Sequence, residues 1–119
     1  MSMLANIVVA IIALMHVWFL ILEMLLWDKP TGRRAFGTSA EYAAQTKVLA
    51  ANQGLYNGFL AAGLLWGLIL GGPEGTHVKL FFLVCVLVAG LYGGFTATRK
   101  VLWIQGLPAV IGIALVLAG

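Results

Sequence analysis

The sequence predicts an all-α, polytopic membrane protein: a bundle of four transmembrane helices. Three observations lead there. Hydrophobic residues make up 62% of the chain and charged ones 9%, with a mean hydropathy of +1.03. A soluble domain of 119 residues has too little interior to hide that much apolar surface, whereas a bilayer removes the need. The apolar residues also fall into long runs, separated by segments that hold most of the charge, and the runs approach the ~20 residues that cross a hydrocarbon core.

The first span is read over residues 3–27. It lacks the basic leading region and small-residue cleavage site of a signal peptide, and it carries His16 and Glu23, so it is expected to be retained. The second, third and fourth spans are read over 47–71, 78–96 and 100–119, giving a single domain over 1–119. The segment between the first two spans is rich in Pro, Gly and charge. Its second half, "TSAEYAAQT", starts with Thr38 and Glu41 at capping-box spacing, where hydroxyl and carboxylate satisfy orphan backbone donors. The second helix is therefore expected to begin near Ser39 and to lie along the interface before it enters the bilayer. His77, within "GGPEGTH", reads as solvated turn material.

The basic residues sort by side. Lys29, Arg33, Arg34 and Lys47 fall in the first loop, Arg99 and Lys100 in the third, and Lys79 alone in the second. That bias predicts cytoplasmic first and third loops and outside termini. Trp27 and Trp103 then sit near one interface and Trp66 near the other, with Trp18 too deep to join the belt. A net charge of +3 from seven basic residues sets topology and implies no nucleic-acid partner. Cys85 is the single cysteine, so no disulfide closes within the chain and the thiol reads as packing. No cofactor motif is found. A metal site is not expected, since His16 and Glu23 lack a third clear ligand.

Polar residues inside the spans are the candidates for function, because lipid offers them no hydrogen-bond partner. Counted from the cytoplasmic end of each span, Glu23, Asn52, Gln53, Tyr92 and Gln105 share one level, with His16 and Asn57 deeper. His16 and Glu23 are two turns apart on nearly one face. Asn52, Gln53, Tyr56 and Asn57 cover an arc of about 140°. Both faces are expected to look inward, so that "NQGLYNGFL" is polar because it faces Glu23 and His16. Glu23 reads as a proton-binding or substrate-binding acid or, in the plainer reading, as an acceptor for Gln53 or Gln105, held neutral or salt-bridged to a loop arginine; His16 reads as a second such group or as a partner of Asn57. In "QGLPA", Pro108 is expected to kink the last span beside Gly106 and free the carbonyl of Ile104. Glycines at four-residue spacing, Gly54 and Gly58, then Gly63, Gly67 and Gly71, with Gly90 and Gly94 in the third span, allow close helix approach. They serve packing within the chain by default, or a homo-oligomer through the glycine-rich faces.

Four motifs carry a resemblance. The His16…Glu23 pair, "NQGLYNGFLA", "AGLYGG" and "QGLPA" resemble the small bacterial integral-membrane family known as domain of unknown function 1304, over essentially the whole chain. The resemblance implies a four-span protein of the bacterial cytoplasmic membrane and carries no activity with it. The positions within its motifs are His16, Glu23, Asn52, Gln53, Tyr56, Asn57, Gln105 and Pro108.

Three functional classes fit these residues. In the first, Glu23 exchanges a proton for a small, partly apolar, lipid-like molecule that is bound or transported. In the second, Glu23 and His16 act as acid and base on a lipid-like substrate, in an isomerisation or epoxide opening. In the third, the polar layer fixes helix register in a structural subunit of a membrane complex. Binding or transport is preferred, because an acid inside a span is expensive to keep.

Overall fold

The computed structural model describes residues 2–119; Met1, the first residue of the predicted domain, lies outside the described residues. Helix α1 covers Met3–Met24, α2 Pro30–Phe36, α3 Ala40–Leu70 and α4 Gly72–Thr96; a π-helical turn, Leu102–Gly106, then leads directly into α5, Leu107–Ala118. No strand occurs among the described residues. Helices α1, α3 and α4 are long and apolar enough to cross a membrane, and Leu102–Ala118 forms a shorter apolar helix.

Several helix ends differ from those expected, each for a local reason. Ser39, not Thr38, caps α3: its Oγ accepts the Tyr42 N–H at 3.1 Å, while Thr38 Oγ1 is buried with no partner among the described residues. Glu41 still sits in the first turn, where its charge suits the positive helix end. Helix α4 starts at Gly72, well before position 78. Gly71 and Gly72 take left-handed φ values of 62° and 61°, which only glycine adopts without strain, and Pro73 and Glu74 then open the helix, as both residue types favour. "GGPEGTH" is thus a helix start, and His77 is an exposed residue of α4 rather than turn material.

Helix α2 is a further departure, since its segment reads as loop. Pro30 stands in its first turn, and Gly37, at φ 66°, donates its N–H to the Arg33 carbonyl. Gly32 lets α2 pack against the turn that follows α1: a Cβ there would lie 1.9 Å from the Leu26 carbonyl oxygen.

The chain forms two compact units, 14–61 and 2–13 with 62–119. In the second unit, Ala5, Val9, Ile12, Ala13, Leu64, Leu83 and Val116 make the core. Its helices approach through glycine. A Cβ on Gly75 would meet the Gly67 oxygen at 2.5 Å, and one on Gly90 the Gly106 nitrogen at 2.7 Å. These close approaches lie within the chain. Many outward side chains are large and apolar: Ile69 is 84% and Phe95 81% exposed, an arrangement suited to lipid. The kink expected at Pro108 takes another form. Leu107 N–H bonds to the Leu102 carbonyl, closing one wide turn immediately before Pro108, which has no N–H to offer the preceding turn and stands at the start of α5.

Candidate functional site

In the unit 14–61, α1 and α3 run past each other in opposite directions, and glycine sets how closely. A Cβ on Gly54 would lie 2.6 Å from Met24 Cγ, 3.1 Å from Glu23 Cβ and 3.2 Å from the Leu20 oxygen; one on Gly58 would lie 2.6 Å from Leu20 Cδ1. These two positions are one turn apart on α3, and Asn57 flanks the face they form. At that level the Asn57 Nδ2 donates a hydrogen bond to Glu23 Oε1. Both side chains are half-buried.

Where the chain passes from α1 through α2 into α3, further polar contacts tie the pair. Trp27 Nε1 donates to Thr46 Oγ1 at 3.0 Å, and Thr46 Oγ1 donates to the Tyr42 carbonyl at 2.7 Å. The Trp27 ring also meets Phe36 of α2 at 4.9 Å. Lys47 Nζ lies 3.1 Å from Asp28 Oδ2 and, chiefly through this hydrogen bond, holds the Asp28 carboxyl below its ordinary value. A depressed folded-state value means that the pair's contribution is complete above the unfolded carboxyl value and is lost as pH falls through the folded one. Lys47→Ala is therefore expected to move the Asp28 carboxyl titration upward, and to flatten the acid limb of a stability profile. A Asp28 carbon shift followed by NMR in micelles checks it; an unmoved titration would refute the pairing.

The predicted residues divide. Glu23 and Asn57 are brought together. The expected partners of Glu23, Gln53 and Gln105, and the expected His16–Asn57 bond give way to this pair. His16 is fully buried, with its ring edge-on to Phe19 at 5.1 Å. Asn52 and Gln53 are exposed and Tyr56 is 60% exposed, so the inward orientation expected of them does not hold. The cause is register. The contacts of Gly54 and Gly58 with Leu20, Glu23 and Met24 set Glu23 beside Asn57, about one turn further along α3 than Gln53, a register that counting inward from either helix end does not give. Tyr92 and Gln105 belong to the other unit; Tyr92 is exposed, and Gln105 is half-buried in the π turn.

One polar pair was missed by sequence reasoning. Lys79, assigned to an outer loop, is a residue of α4 only 1% exposed, and its Nζ donates to Asn6 Oδ1 of α1 at 3.0 Å. Gly67 makes the room: its missing Cβ would lie 2.6 Å from Lys79 Cγ. A lysine near the end of a membrane helix ordinarily snorkels toward water; this one is covered. The Pro73–Glu74 helix start, once recognised, places Lys79 two turns inside α4 and would have drawn attention to it.

Comparison with known proteins adds kinship. The profile of the family described as "Protein of unknown function (DUF1304)" matches residues 10–117, a range that includes Glu23 and Asn57 but not Asn6. The chain is similar to "Uncharacterized protein YpaA" of Lactococcus lactis subsp. lactis (strain IL1403), being 30% identical over 115 residues that cover 95% of this chain and 96% of the relative. No solved structure matches it.

Proposed function

Because the chain belongs to the DUF1304 family, whose description assigns no activity, we propose from its own residues that it binds a small, partly apolar molecule within the membrane and couples binding or transport to a proton on Glu23. The observation that carries this reading is the hydrogen bond from Asn57 to Glu23, between helices drawn together by Gly54 and Gly58. A carboxamide suits a carboxyl that changes protonation state. Its NH₂ donates to the carboxylate, and its oxygen, after a flip, accepts from the acid. Among the described residues the only ion pair is Lys47–Asp28, so no cation holds Glu23 in its charged form. Proton and ligand can then exchange at one carboxyl at the expense of a single hydrogen bond.

The acid/base reading is less favoured by the geometry. His16 lies seven residues from Glu23 on α1, roughly 10 Å along the axis, and is fully covered. In the preferred reading the loops bearing Lys29, Arg33, Arg34, Arg99 and Lys100 face the cytoplasm of a bacterial cell, and both termini lie outside.

Infrared difference spectroscopy of the protein in lipid nanodiscs tests the proposal, with Glu23→Gln as control and tetraphenylphosphonium as a partly apolar probe. The expected result is a carboxyl band that responds to pH, shifts on adding the probe, and is absent from Glu23→Gln. If no band depends on Glu23 under either perturbation, the coupling proposal fails and a register-fixing role replaces it.

A further inference from the structure

The side of α3 that turns away from α1 carries a second set of polar groups that the Glu23 site does not use. Asn52 and Gln53 are exposed; Leu49 is 65%, Tyr56 60% and Phe59 54% exposed. At about 100° per residue, positions 49, 52, 53 and 56 cluster on one stripe, roughly opposite Gly54 and Gly58. The spacing, apolar residues alternating with amides at intervals of three and four, is that of a helix–helix seam. No hydrogen bond to the side chain of Asn52, Gln53 or Tyr56 is found among the described residues, and only the Tyr56–Phe59 ring contact, at 5.8 Å, joins members of the stripe. Carboxamides in this position face hydrocarbon, which cannot satisfy them.

We propose that this stripe is the contact surface for a second copy of the chain, paired through Asn52 and Gln53. The chemistry selects the occupant. A carboxamide is donor and acceptor at once, and is therefore complementary to itself. The stripe bears no charge, so it asks for no oppositely charged partner. Copies inserted in one orientation also bring the same residue to the same depth. A two-fold axis along the membrane normal then sets Asn52 against Asn52 and Gln53 against Gln53, the self-complementary contact of a symmetric dimer. Such interhelical amide bonds hold membrane helices together. This surface is distinct from the glycine faces, whose close approaches lie within the chain, and the dimer does not depend on Glu23 binding anything.

Oxidative crosslinking of the full chain in membranes, in a Cys85→Ser background, tests the pairing. Leu49→Cys lies on the stripe without removing an amide; Ala51→Cys, half-buried and about 160° from Leu49 around the helix, is its control. The expected result is disulfide-linked dimer from Leu49→Cys at a rate at least tenfold above Ala51→Cys. Adding Asn52→Leu and Gln53→Leu, which replace outward amides by lipid-compatible side chains, is expected to remove that difference and to weaken dimerisation about tenfold in a dilution series by energy transfer. Equal crosslinking at both cysteines, or a Leu49→Cys dimer that survives the leucine substitutions, would overturn the proposal.

Discussion

Replacing Asn6 by leucine is expected to destabilise the protein by about 3 kcal/mol, because it leaves the Lys79 ammonium buried without an acceptor. Lys79 is fully covered, and Asn6 Oδ1 is the acceptor seen for its Nζ. Truncation alone does not explain such a loss, since Asn6 is only half-buried and leucine is welcome beside lipid. The discriminating variant is the double replacement Asn6→Leu with Lys79→Met. Methionine keeps an unbranched stem against Gly67 and has no charge to satisfy, so most of the lost stability should return. Reversible unfolding in mixed micelles gives all the values needed for a double-mutant cycle. Additive losses, with no recovery in the double variant, would show that the two side chains do not depend on each other.

Gly54→Leu should abolish the Glu23 carboxyl response without altering Glu23 or Asn57. The first carbon of the new side chain would lie 2.6 Å from Met24 Cγ and 3.2 Å from a Leu20 backbone oxygen. Main chain cannot swing aside as a side-chain tip can, so α1 and α3 must separate, at a cost of about 1–3 kcal/mol. The bond from Asn57 breaks with them. Gly58→Ala offers the contrast, because the atoms its Cβ would meet are the outer carbons of the flexible Leu20 side chain. In nanodiscs the Glu23 band of Gly54→Leu should match that of Asn57→Leu, while Gly58→Ala stays close to the parent protein. A Gly54→Leu protein with unchanged stability and an unchanged band would mean that helix proximity does not make the site.

The long apolar helices were legible because hydropathy accumulates over ~20 residues and tolerates errors at either end. Glu23 and Asn57 were legible as members of a polar set for a related reason: a carboxyl or an amide inside an apolar run stands out whatever its partner. Their pairing was not. It depends on how two helices slide past each other, and that is set where Gly54 and Gly58 meet α1, not by a count from either helix end. Helix α2 was obscured because seven residues give too short a window for periodicity, although Pro30 and Gly37 mark its two ends. Asn52, Gln53 and Tyr56 were assigned inward from chemistry alone. The same chemistry is met equally well by a partner outside the chain, and sequence does not choose between the two. Lys79 was hidden by a habit that is usually sound, namely that a lysine at the edge of an apolar run belongs to the interface.

The wide turn Leu102–Gly106 gives the last apolar helix two phases. A regular helix advances about 100° per residue, so the extra residue held in a π turn rotates everything that follows by that amount. Within it, Trp103 and Ile104 point outward. Gly106 meets Gly90, and one turn and a half later Gly112 arrives beside Ile12 and Leu83. Two docking requirements, set by different neighbours, are thereby met on one continuous rod: the turn works as a vernier, letting the second half be indexed against its contacts without disturbing the first.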